Sequence, residues 1–296
     1  MTTNSINNTG SDLTISNVNI TGSTISTVST NSNLTLSGNG TGKVSIGGNY
    51  TLPNADGTNA QVLATNGSGV LSFITNSASA GFSSIVTQVF TSSGTYTPTT
   101  GMSYCIVEIV GGGGGGGGAP ATGVSQCSAG SGGGSGAYAR KTFSAATIGA
   151  SQTITIGTGG AGGLGTASSG APGNASSFGS FITCNGGQEG FTRGPASGEA
   201  DAGGNGGTAT GGDLNITGNC GGCFSIYGVS GNSVCGGVGA ASYFGGAATA
   251  SANVGGNPGL AFGAGGSGAS RSQNLASPAT GGNGADGVCI ITEFIA

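Results

Sequence analysis

Residues 1–48 carry apolar residues in pairs two apart, Leu13/Ile15, Val18/Ile20, Leu34/Leu36 and Val44/Ile46, set among Ser, Thr and Asn. That spacing predicts short strands with one buried face. Strands so short cannot enclose a core within one chain, because an isolated hairpin is marginal in water. The segment 1–48 therefore reads as a trimeric β-fibre shaft, three copies wound about an axis. Residues 49–82 form a connector whose NADG and NGSG turns separate short runs ending at Leu52, Leu63 and Phe73.

From residue 83 the pattern changes. Runs 85–90, 96–98, 104–110, 137–144, 152–157, 177–183 and 287–295 are rich in Val, Ile, Tyr, Phe and Thr and predict strands. The run 104–110 ends abruptly in eight glycines, Gly111–Gly118, and about a hundred residues of Gly, Ser, Ala and Asn precede the closing run. Helical periodicity is almost nil. The reading for 83–296 is a small β-sandwich with long glycine-rich loops projecting from one end, so the predicted fold class is all-β. The glycine tracts lack a strict G-x-y triplet, which excludes collagen. They suit polyglycine II-like helices of three residues per turn, packed side by side, where only glycine permits such close backbones. Interspersed Phe, Tyr and Ile favour this over a flexible linker.

Composition sharpens the picture. Glycine supplies 69 of 296 residues, and only 5% are charged, against about 25% in an average domain. Each ordered glycine costs about 0.5–1 kcal/mol more than alanine. Dense hydrogen bonding and association with identical subunits are the available offsets, so a homo-oligomer is expected, with a trimer favoured and a helical filament as the alternative. Net charge is −4 and the bases are Lys43, Arg140, Lys141, Arg193 and Arg271. That is no counterion-displacing cluster, so no nucleic-acid partner is expected. No apolar run is long enough to span a bilayer, and MTTNSINNTGSDL has no signal-peptide pattern. The expectation is synthesis in a host cytoplasm and release by lysis, without membrane insertion.

The stretch VTQVFTSSGTYTPTTGMSYCIVEIVGGGGGGGG (86–118), the block GAYARKTFSAATIGASQTITIGTGGAGG (136–163) and the closing GGNGADGVCIITEF (281–294) together resemble the glycine-rich domain of many phage tail fibre proteins. The similarity runs in order through roughly the last seventy per cent of the chain. The composition is also similar to that of polyglycine-sandwich adhesins capping some long tail fibres. The resemblance implies a homotrimeric receptor-binding role on a virion, with host surface glycan or outer-membrane protein and other fibre proteins as partners. A filament subunit assembled by strand exchange through the N-terminal segment is the alternative reading.

Candidate chemistry is sparse. Without histidine, no Ser-His-Asp or Cys-His arrangement is available in one chain. Glu189, Glu199 and Asp201 lie close enough in sequence for a glycosidase pair, but solvated loop acids explain them more simply. No enzyme activity and no cofactor are expected. Residues 281–289, GGNGADGVC, fit one copy of a calcium nonapeptide at Asp286, a motif that works only in stacked copies. Cys220 and Cys223 form a CxxC with Cys235 downstream; zinc needs further ligands, so free thiols or an opportunistic disulfide are the simpler readings. Cys105 and Cys289 sit in apolar runs and read as buried small hydrophobes. The remaining features are aromatic residues between glycines. Phe191, Tyr227 and Tyr243, with Arg193 and Arg271 nearby, are the predicted receptor-binding residues, because Tyr and Arg favour interface hot spots.

Overall fold

The computed structural model describes residues 18–21, 24–27, 35–36, 41, 43–46, 50–53, 56–76, 82–196, 198–227 and 234–296. The chain divides into two compact units, Met1–Ser79 and Ala80–Ala296. Nearly all regular structure is β. Among the described residues the one helix is the turn Ala145–Ile148, capped by Ser144, whose hydroxyl accepts the Thr147 N–H.

The described residues of the first unit form hairpins. Val18–Thr21 pairs with Thr24–Thr27, Ser45–Ile46 with Tyr50–Thr51, and Gln61–Thr65 with Leu71–Thr75. The NGSG turn closes the last of these: Asn66 Oδ1 accepts the N–H groups of Ser68 and Val70, and Gly67 and Gly69 take positive φ. Within the predicted shaft, Leu13, Ile15 and Leu34 lie outside the described residues. Where burial is described in this unit, no residue is buried, and Leu36, Tyr50, Val62, Leu63, Val70 and Ile74 stand exposed.

The second unit holds two open five-stranded antiparallel sheets. The first runs in the order Leu214–Ile216, Tyr138–Ser144, Met102–Val110, Val288–Ile295, Ser84–Phe90. The second runs Ala209–Thr210, Ile182–Cys184, Ser176–Phe178, Gln152–Thr155, Gly94–Tyr96. The predicted run 177–183 is therefore two strands, because Gly179 takes φ +50° and turns the chain between two phenylalanines.

Alternation sends Cys105, Val107, Ile109, Phe143, Cys289 and Ile291 of the first sheet to one cluster with Tyr96, Ile154, Phe178 and Ile182 of the second. Burying each large apolar side chain contributes about 1.5–3 kcal/mol, so this cluster is the unit's main apolar anchor. Burial lifts the thiol pKa of Cys105 to about 11 and of Cys184 to about 12, and raises that of Cys289 as well. All three behave as small hydrophobes.

One charge lies in this core. Glu293 is fully buried. It accepts the Tyr96 hydroxyl at 2.7 Å, the Thr99 N–H at 2.9 Å, the Thr99 hydroxyl at 2.6 Å and the Gln88 amide at 3.4 Å. Burial alone would raise its pKa; the hydrogen bonds outweigh that and hold the carboxyl below its ordinary value.

Beyond the strands, the glycine tracts form a lattice. The strand Met102–Val110 continues as 111–119, fully buried. Its N–H groups bond three antiparallel neighbours in rotation. Gly111, Gly114 and Gly117 reach Ala137, Gly134 and Ser131; Gly112, Gly115 and Gly118 reach Asn174, Ala171 and Ser168; Gly113, Gly116 and Ala119 reach Ala285, Gly282 and Ala279. Its carbonyls take N–H groups from three parallel neighbours: Gly160 and Gly163, Gly187 and Gly190, Gly266 and Ala269. Partners that step by three residues define a helix of three residues per turn, bonded only to its neighbours, as in polyglycine II. Tract 130–137 is enclosed in the same way by 111–119, 185–191, 203–208, 217–223, 235–240 and 263–270.

Glycine is required here by proximity. None of Gly111–Gly118 has positive φ. A Cβ on Gly113, Gly114 or Gly115 would lie well inside 3.0 Å of the carbonyls of Ala264, Gln188 or Ala161. Where serine interrupts an interior tract its hydroxyl joins the network: Ser131 and Ser135 Oγ accept the N–H groups of Phe191 and Asn219, each at 2.8 Å. No buried side-chain polar atom among the described residues lacks a hydrogen-bond partner.

Candidate functional site

The lattice sorts the connections by end. Tracts 111–119, 157–165, 185–191 and 217–223 follow strands, whereas 130–137, 168–175, 203–208 and 279–287 lead back into them. Tract 263–270 runs parallel to 111–119. Loops 120–129, 166–167, 192–202 and 271–278 therefore gather at the end away from both sheets. This tip is the candidate site.

Local pairing holds it. Cys127–Gly130 lies between Thr192–Ala196 and Ser270–Arg271, and Gly198–Asp201 pairs with Phe224–Tyr227. Cys127, Ala129, Phe224 and Val234 form a second small core beneath. Loop 120–126 is stitched to loop 271–278: the Thr122 N–H donates to Leu275 O at 2.9 Å, the Asn274 N–H to Gly123 O at 3.1 Å, and the Leu275 N–H to the Thr122 hydroxyl at 3.1 Å. The Ser128 hydroxyl donates to Pro120 O from a fully buried position. The stitched loop presents Val124, 79% exposed.

The predicted contact residues divide between the two ends. Arg193 is at the tip, its side chain 55% exposed, with Nε donating to Asp201 at 2.8 Å. Among the described residues its guanidinium donates through Nε alone. Phe191 ends tract 185–191 beside it and is partly exposed. Arg271 is also at the tip but is spent internally: Nε donates to Ser277 O, Nη1 to Asn253 and Ser270 O, and Nη2 to Pro278 O. It clips three loop segments together. Tyr227 lies on the backbone strand Phe224–Tyr227 at the tip, and its side chain lies outside the described residues. Tyr243 is at the opposite end, stacked on Tyr138 with ring centroids 3.7 Å apart, in a cleft with Ser135, Ile216 and Asn219. Val124 was invisible as a candidate; a lone apolar residue in ATGVSQ was its one signal.

The other motifs resolve into lattice parts. Asp286 Oδ1 accepts the Gly159 N–H at 2.7 Å, and Asn283 Oδ1 accepts that of Gly162 at 2.8 Å. The nonapeptide is thus a polyglycine tract whose acid substitutes for a lattice acceptor. Cys220 and Cys223 are exposed on tract 217–223. Three residues make one turn there, about 9 Å at 3.1 Å per residue, beyond the 4.4–6.8 Å Cα spacing of a disulfide. Among the described residues no three Cys, Asp or Glu side chains gather as a metal site. Asp201 is paired with Arg193, and the Glu199 side chain lies outside the described residues. The described tip therefore offers a guanidinium, hydroxyls, amides and a projecting apolar side chain.

A family profile described as a glycine-rich domain matches residues 87–293. No curated protein matches the chain.

Proposed function

The chain belongs to the glycine-rich domain family, and from that premise we propose that it is a viral structural adhesin, the distal piece of a phage tail fibre or spike. Its tip loops bind a receptor on the host cell, glycan or outer-membrane protein. Residues 1–82 serve as shaft and connector, and the sheets with their lattice act as the sandwich-like body of a homotrimer.

One observation carries the reading. A lattice bonded through its backbone, packed too closely for a Cβ at its interior glycines, holds the tip loops at one end. Such a scaffold supports recognition because function concentrates in loops held on rigid elements. The N-terminal hairpins, which bury none of their described residues, support association of several copies through that segment. The test uses fluorescently labelled full-length protein on a panel of bacterial cells, with Val124→Asp and Arg193→Ala beside it. Saturable binding to at least one strain, weakened at least tenfold by either substitution, is the expected result. Undiminished binding by both variants would move the contact away from the tip; no binding to any strain would sink the adhesin reading.

A further inference from the structure

The first five-stranded sheet has a second face. Cys105, Val107, Ile109, Cys289 and Ile291 point into the core, so alternation turns Tyr104, Ile106, Glu108, Ile290, Thr292 and Phe294 outward. The register places Ile85, Thr87 and Val89 on the same side, opposite Phe294, Thr292 and Ile290. Tyr243 and Phe244 cover one end of this face, over Val110, Tyr138 and Val288; the rest is largely apolar and uncovered. Ile85 is 61% exposed and Val89 57%. Phe82 packs edge-on against Tyr104 and Phe294, themselves stacked at 4.4 Å. Its four longer strands, seven to nine residues each and about 4.8 Å apart, span roughly 500 Å² in all, so the uncovered part is comparable to the largest apolar patch of a typical monomer.

We propose that this face is where copies of the chain pack against one another about the oligomer axis; the inference rests on the homo-oligomer reading above. Three features favour a second copy as the occupant. The face carries one acid and one base, Glu108 and Arg140, opposite each other in register. Glu108 accepts the Tyr138 hydroxyl at 2.6 Å, and Arg140 has no ion-pair partner among the described residues. Around a rotation axis the base of one copy can meet the acid of the next, a match that a self-complementary surface supplies without a foreign partner. The described part of residues 1–79 also buries none of its side chains. Burial between copies answers both deficits with one stoichiometry.

The test measures mass by light scattering on the full chain, comparing wild type, the double variant Ile85→Lys/Val89→Lys, and Leu164→Lys. Ile85 and Val89 are exposed, so lysines there leave the subunit fold intact, which far-UV circular dichroism verifies. Leu164, equally exposed but on the lattice, is the control. Wild type and Leu164→Lys should run at three times 27.4 kDa. The double variant should dissociate at concentrations about 100-fold higher than wild type, because lysines desolvated at the interface lack partners. A double variant as stably trimeric as wild type would overturn this interface while leaving the oligomer standing. A monomeric wild type would overturn both, with the chain's own N-terminal unit or a foreign partner as the cover.

Discussion

Gly115 lies at the centre of the lattice, and replacing it with alanine tests whether backbone proximity, rather than composition alone, holds this protein together. Its N–H donates to Ala171 O at 2.9 Å and its carbonyl accepts the Gly190 N–H at 2.8 Å. An added methyl would run into the carbonyl of Ala161 on the parallel tract. That oxygen belongs to backbone, so relief requires the tract 157–165 to retreat. Retreat strains the bonds from Gly160 to Gly113 and from Gly163 to Gly116, both 2.8 Å. Each buried bond lost with its partners unmatched costs about 1–3 kcal/mol, giving about 2–6 kcal/mol for Gly115→Ala. For a unit of this size 1 kcal/mol moves the melting temperature by about 2–4 °C, so a drop of about 8–16 °C is expected near the middle of that range. Gly246→Ala is the control. Its Cβ would meet nothing within 4 Å and its φ is not positive, so alanine there should be neutral or add about 0.4–1 kcal/mol. The chain has no tryptophan, which makes scanning calorimetry the suitable assay. A Gly115→Ala protein melting within 2 °C of wild type would refute the close-packing argument.

Three further outcomes follow from particular residues. Glu293 has a depressed folded pKa, so its stabilisation is full above the unfolded carboxyl value near 4.3 and is lost as pH falls through the lower folded value. Glu293→Gln should cost about 1.5–3 kcal/mol at pH 7 and flatten the acid limb of the melting curve; an unchanged limb would remove Glu293 as its source. Cys220, Cys223 and Cys235 should react with a thiol reagent in the native protein, while Cys105, Cys127, Cys184 and Cys289 wait for denaturation. A peptide map of oxidised protein showing a Cys220–Cys223 bridge would contradict the three-residue turn. Arg271→Ala should lower the melting temperature by several degrees, since it strips the hydrogen bonds to Asn253 and to the Ser277–Pro278 segment. Arg193→Ala, breaking an exposed ion pair worth about 0–1 kcal/mol, should leave it nearly unchanged; the reverse order would invert the roles given to these two residues.

Much of the architecture is legible in the sequence because its signals are local. Alternation in MSYCIVEIV and VCIITEFI specifies strands with one buried face, and both lie at the centre of the first sheet. Glycine content and the missing G-x-y triplet restrict the tracts to something other than collagen. Three-residue periodicity is harder to read, because glycine carries no side chain to mark which face is buried. Only the tertiary structure decides which tract neighbours which, since those bonds join backbones far apart in sequence, such as Gly116 and Gly282. That long-range pairing also assigns the ends. It carries Arg193 and Phe191 to the tip, keeps Tyr243 beside Tyr138 and turns Arg271 inward onto its own loops. Residue type marked these side chains as candidates; the direction of each tract through the lattice determined where they stand, because a three-residue helix can run either way and only its neighbours' hydrogen bonds fix the choice.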